Sequence, residues 1–169
     1  MTPARALLRR PLRAIVLLAA AGPHRAACNP AWCTLARPTP AEFAAIVADA
    51  DRMLARYADD RTPLGRQCRA LGATMKARAG DVRMIDFMWR AEDADGNVGP
   101  VTGDAHPHEL AAGTGTVHIA RGYDALNPDR GLPAILQTAR HEFAHLNGLR
   151  QNEGGFDAAE QLATACGPA

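Results

Sequence analysis

The chain has almost no lysine: Lys76 is the only one, and arginine carries the rest of the positive charge. Lys+Arg total 19 against 18 Asp+Glu, a formal net charge of +1, and the arginines are scattered along the chain. A nucleic-acid binder concentrates positive charge in a patch or stripe, so the composition argues against that class of partner. Also missing is any apolar run near the roughly 20 residues that a membrane-spanning helix needs. No two cysteines are spaced CxxC, which removes zinc-ribbon and thioredoxin-type motifs. No internal repeat is visible, and no histidine follows His145.

What is present begins with a segment laid out like a secretory signal. Arg5, Arg9, Arg10 and Arg13 precede a short apolar run from Ala14 to Ala21, and small residues follow at the expected cleavage point. Residues 1–21 therefore read as a signal peptide, with export to the periplasm or medium. The alternatives are lipid anchoring through Cys28, or a basic Ala-rich helix of a cytoplasmic protein. Residues 22–38, rich in Pro, Ala and Arg, read as a linker or N-terminal arm. Residues 39–169 suit one domain with a core of its own. Four cysteines, Cys28, Cys33, Cys68 and Cys166, would form two disulfides in an oxidising compartment. The simplest pairing joins Cys28 to Cys33 and Cys68 to Cys166.

Periodicity predicts an α+β domain. Thr39, Pro40 and Glu42 have the pattern of a capping box, and Phe43, Ile46, Val47, Ala50, Leu54 and Tyr57 continue one apolar face. A second helix is expected from Thr62 or Pro63 to about Ala79. Strand-like runs flank Asp95-Gly96-Asn97, which predicts a hairpin. Residues 116–121 alternate as a strand. Helix returns from about Leu132 to Asn147, with Gly148 as its stop, and a last short helix spans about Phe156 to Cys166. Trp32 and Trp89 read as packing residues, and Asp93, Asp95 and Asn97 as a turn.

The motif that carries chemistry is His141-Glu142-Phe143-Ala144-His145, an H-E-x-x-H string. At about 100° per residue, His141 and His145 project from one side of a helix a turn apart, where two imidazoles can meet on one zinc ion. Glu142 falls on the adjacent flank, placed to take a proton from a zinc-activated water. Ile135, Leu136, Ala139, Phe143 and Leu146 form the apolar stripe of the same helix. Both histidines lie nearly opposite that stripe and face a cleft, not the core.

A catalytic zinc takes three protein ligands and keeps a position open. With no histidine downstream, the third must be an acid: Glu153, Asp157 or Glu160, which share one face if the segment is helical. Geometry does not separate them.

The segment from Leu132 to Gly148 resembles the zincin superfamily of metallopeptidases. It departs from the metzincin branch, because Gln151 stands where a third histidine belongs. The string from Asn152 to Asp157 looks like the N-E-x-x-x-D pattern of gluzincins. That resemblance implies Glu153 as the third zinc ligand and Asp157 as a support for a histidine ligand, although the spacing from His145 is short for that family. It also implies that residues 116–121 are an edge strand above the active-site helix, along which peptide substrate binds. The expected function is zinc-dependent hydrolysis of peptide bonds in a peptide or protein substrate, with Zn2+ held by His141, His145 and one acid, and Glu142 as general base and then acid. The alternative is a non-catalytic zincin-like module that holds zinc for partner binding. His106, His108, His118, Arg121 and Tyr123 are candidates for stabilising an oxyanion, with none preferred. His106 and His108 alternatively read as a second metal site or a solvated turn. Substrate preference and oligomeric state have no signature in the chain.

Overall fold

The computed structural model describes residues 35–92, 98–105, 116–149 and 157–168. Helix α1 (Pro40–Arg56) starts with the expected capping box. The Thr39 hydroxyl accepts from the Glu42 N–H at 3.2 Å, while the Glu42 carboxylate accepts from the Thr39 N–H at 2.6 Å. Arg121 then donates to both carboxylate oxygens of Glu42, at 2.7 and 2.9 Å, and so ties this cap to the sheet. That pair holds the Glu42 carboxyl below its ordinary value. Helix α2 (Pro63–Arg78) is capped by the Thr62 side chain and packs on α1.

Strand β1 (Val82–Phe87) follows a 3-10 turn, and β2 (Trp89–Glu92) and β3 (Val98–Val101) form the expected antiparallel hairpin. Strand β4 (Gly103–Ala105) and strand β5 (Val117–Gly122) complete a three-stranded mixed sheet in the order β1-β5-β4. Strand β5 runs parallel to β1 and antiparallel to β4. Helix α3 (Leu132–Leu146) lies against β4 and β5, and helix α4 (Ala158–Cys166) packs on α3 and α2. The architecture is α+β, as the periodicity predicts. Among the described residues no helix is long and apolar enough to cross a membrane.

The main core joins the four described helices to one side of the sheet. Ile46, Leu71, Met75, Met84, Ile119 and Phe143 are wholly buried in it. A smaller cluster on the other side holds Ile85, Trp89 and Ala120, which confirms Trp89 as a packing residue. Trp32 and the Asp93–Asn97 turn lie outside the described residues.

One expectation is overturned. Residues 117–122 are the central strand of the sheet, not its edge. Val117, Ile119 and Ala120 are fully buried because the strand has neighbours on both sides and packing on both faces. Among the described strands, the edge beside α3 is β4, three residues beginning with a glycine, too short to leave a period-2 signal.

The C-terminal helix is anchored by covalent and polar contacts together. Cys68 and Cys166 form a disulfide, the second half of the expected pairing, while Cys28 and Cys33 lie outside the described residues. The Tyr57 hydroxyl donates to the Ala165 carbonyl at 3.0 Å and Arg56 donates to the Gly167 carbonyl at 2.9 Å. The bridge closes a sequence separation of 98 residues, for which chain-entropy arguments give a large stabilisation. Replacing both cysteines by alanine is expected to lower unfolding stability by about 2–5 kcal/mol, read as a lower midpoint in urea.

Candidate metal centre

Helix α3 presents the two histidines a turn apart, and its apolar stripe is buried as predicted. Ile135, Leu136, Ala139 and Phe143 are in the core, with Leu146 packed at its margin. The helix stops where glycine allows it: Gly148 has φ +89°, a left-handed conformation that side chains other than glycine rarely adopt. This turn brings the Leu149 carbonyl back over the helix end, where it meets His145 Nδ1 at 2.7 Å. A carbonyl oxygen only accepts, so Nδ1 of His145 carries the hydrogen. His141 Nδ1 is 3.0 Å from Glu160 Oε2, a carboxylate acceptor that selects the same tautomer.

These two hydrogen bonds determine what happens at the other edge of each ring. The Nε2 atoms of His141 and His145 approach to 3.0 Å, with the ring planes at 81°. In neutral rings neither Nε2 carries a hydrogen, so two lone pairs point at one another. Only a positive charge between them makes that approach favourable. The Oδ2 atom of Asp157 lies 3.5 Å from His141 Nε2, and ligand atoms of all three residues fall within 4.8 Å of one another. Donors on a tetrahedral ion at zinc–ligand distances of 2.0–2.1 Å are separated by about 3.3 Å. The donor set and its spacing therefore fit a divalent cation of that kind.

Asp157 has a second task. It is the N-cap of α4, and its Oδ1 accepts from the Ala159 N–H at 2.9 Å and the Glu160 N–H at 3.2 Å. With Oδ1 held by the cap, Oδ2 is turned toward His141. The capping residue of one helix thus faces the histidines of another. The last helix was expected from about Phe156, which conceals this, because a residue inside the first turn has no capping role. The tetrapeptide Asp157-Ala158-Ala159-Glu160 did carry the signal: an N-cap type followed three residues later by glutamate. Of the three acids considered for the third position, Asp157 is in the cluster. Glu160 sits behind His141 on its Nδ1 side, and Glu153 lies outside the described residues.

Glu142 is buried at 5 % exposure and forms no hydrogen bond or ion pair among the described residues. Burial holds its carboxyl well above the usual carboxylate range, and the negative charges of Asp104, Asp157 and Glu160 push the same way. Room for it is made by Gly103 on β4. A Cβ there would collide with Glu142 Oε1 and stand 2.8 Å from Glu142 Cδ. Gly103 was not singled out by sequence reasoning, and an isolated glycine before a three-residue strand offers little to find it by.

The other sequence candidates are spread elsewhere. Arg121 is engaged with Glu42, the Tyr123 ring lies under the Arg130 guanidinium at 5.5 Å, and His118 Nε2 is 2.7 Å from the Thr116 hydroxyl. His106 and His108 lie outside the described residues. No known family model, curated protein or solved structure matches the chain.

Two predictions follow from the burial of Glu142. A carboxyl whose folded pKa stands above its unfolded one binds its proton more tightly in the native state. Its contribution to stability is full below the unfolded value and is lost as pH rises toward the raised folded value. Glutamine escapes that loss. In chelator-treated protein, Glu142→Gln should raise Tm by about 2 °C or more at pH 7, and differential scanning calorimetry should show the gap closing near the unfolded glutamate pKa of about 4.3. Gly103→Ala should destabilise the fold by about 1–3 kcal/mol through overpacking, measured by urea denaturation.

Proposed function

We propose that the protein is an exported zinc-dependent metallopeptidase. The observation that carries this reading is the convergence of two imidazole Nε2 atoms and one aspartate oxygen next to a buried carboxyl that has no partner among the described residues. A purely structural metal site is closed by its ligands and has no use for a base beside it. The peptide bond as substrate rests on the resemblance of the H-E-x-x-H helix to zincins. Export is supported by the disulfide between Cys68 and Cys166, since such bridges persist in oxidising compartments.

In this reading His141 Nε2, His145 Nε2 and Asp157 Oδ2 hold the zinc, in place of the Glu153 that the gluzincin resemblance implies. A zinc ion there supplies Lewis acidity, which makes water acidic enough to ionise near neutral pH. The Leu149 carbonyl and the Glu160 carboxylate keep both imidazoles in the tautomer that offers Nε2 as a lone pair. Glu142 is the proton carrier. Its carboxylate accepts a proton from the attacking water and returns it to the leaving amine nitrogen as the C–N bond breaks. Exclusion of solvent around Glu142 raises its proton affinity, which suits a group that must hold a proton between the two steps.

Metal analysis joined to a proteolysis assay tests the reading, using wild type, Glu142→Gln, Glu142→Asp and alanine variants of His141, Glu153, Asp157 and Glu160. Glu142→Gln should keep stoichiometric zinc and lose activity by about 10²-fold or more. Asp157→Ala should lose zinc and activity together, whereas Glu153→Ala should keep both. A wild-type protein that binds no zinc, or a zinc protein with no hydrolytic activity on any peptide library, would end the peptidase reading.

A further inference from the structure

Behind His141 runs a chain of hydrogen bonds that the proposed chemistry leaves unexplained. It starts in the core, where Arg140 and Asp49 form an ion pair at 2.7 Å with side-chain exposures of 5 % and 2 %. A buried pair of this kind is weak evidence for stability, since desolvating two charges cancels most of their attraction. Its geometry has another consequence. With one nitrogen on Asp49 and Nε on the Ala163 carbonyl at 3.0 Å, the guanidinium has Nη2 left, and this donates to Gln137 Oε1 at 2.8 Å.

That bond settles which way the Gln137 amide faces. Its oxygen is held by Arg140, so its NH2 group must point to α4. There it donates to Glu160 Oε1 at 2.8 Å and to the Thr164 hydroxyl at 3.1 Å. Glu160 then has Oε2 left for His141 Nδ1 at 3.0 Å. The Glu160 side chain is 51 % exposed. An exposed glutamate loses considerable rotamer entropy when held in one pose, and a single bond to a histidine is a weak hold. The second bond, from Gln137, is what keeps the carboxylate on the ring.

We propose that Gln137, oriented by the buried Arg140–Asp49 pair, is a positioning residue for the metal centre: it holds Glu160 on His141 Nδ1 and thereby strengthens metal binding at Nε2. This rests on the metal-centre reading above and adds residues that touch neither metal nor substrate. A carboxylate on the far nitrogen fixes the ring's tautomer and raises its basicity as a ligand. The relay links three helices, so the same bonds could instead serve only to hold α3 against α4. Thr164 separates the two roles, because it accepts from the Gln137 amide without touching Glu160 in the bonds described.

The test measures Zn2+ affinity by chelator competition and the visible spectrum of the Co2+-substituted protein, which reports ligand geometry without reference to activity. Gln137→Met should weaken Zn2+ by about 10- to 100-fold and alter the cobalt bands, and Glu160→Ala should do the same with Gln137 intact. Thr164→Val should leave affinity within about twofold of wild type. Wild-type affinity and an unchanged spectrum in Gln137→Met would overturn the proposal, as would an equal loss in Thr164→Val. His141→Ala serves as the reference. If it abolishes binding while Gln137→Met binds Zn2+ as wild type does, the relay alone is wrong. If wild type itself binds no Zn2+, the metal-centre reading fails and takes the relay with it.

Discussion

One buried guanidinium holds the three helices around the site in register. Arg140 projects from α3, pairs with Asp49 on α1, caps the Ala163 carbonyl near the end of α4, and donates to Gln137 on its own helix. A charged side chain at 5 % exposure is tolerable only when its donors are satisfied, and arginine's planar fork can satisfy several partners at fixed angles. A lysine here would offer a point charge and no such directionality. Because the partners belong to different helices, the position of α4 relative to α3 is set by bond angles as well as by packing. Removing either member of the pair would leave the other buried and uncompensated, which is far costlier than replacing both.

That registration matters because α4 is short and carries two of the acids. A helix of nine residues has little stability alone and depends on its tertiary contacts. The disulfide, the Tyr57 hydroxyl and Arg56 fasten its C-terminal end, while Asp157 caps its N-terminal end beside His141. The cap is electrostatically apt: a carboxylate at a helix N-terminus is favoured by the backbone N–H groups and the helix dipole. One oxygen is committed to the backbone and the other is aimed by that commitment. Precision at the candidate metal centre thus descends from ordinary helix capping, applied to a helix whose far end is fastened.

The elements legible in the sequence are those whose signals are local. The capping box at Thr39 and Glu42, the apolar stripe of α3 and the glycine stop at Gly148 each need only a few neighbouring residues to declare themselves. The projection of His141 and His145 from one side of α3 follows from helical spacing in the same way. Local signals fail where a residue's role is assigned by a distant partner. Arg140 sits in a helix as any solvated arginine would, and only Asp49, 91 positions away, turns it inward. Gly103 is punctuation in the sequence and a clearance for Glu142 in the fold. The choice among Glu153, Asp157 and Glu160 depended on the start of α4, and a shift of two residues there changes Asp157 from a helical side chain to a cap. The central position of β5 depended on pairing with a strand too short to recognise.

Glu142 is where folding and chemistry conflict. Every other buried polar side chain on α3 has found a partner: Arg140 has Asp49, and Thr138 accepts from Arg130 at 2.9 Å. Glu142 has burial, three carboxylates in its electrostatic surroundings and no donor among the described residues. A sequence selected for stability alone would place a neutral or apolar residue there, since an unpaired buried carboxyl destabilises the native state at neutral pH. The strand that passes over it keeps a glycine at Gly103, where a Cβ would meet both Glu142 and the Thr138 methyl. A local rule broken on α3 for the sake of one unpaired side chain points to a functional constraint. A binding module that needed only the ion would be more stable without Glu142, so its presence supports the proposed proton transfer over a role in binding alone.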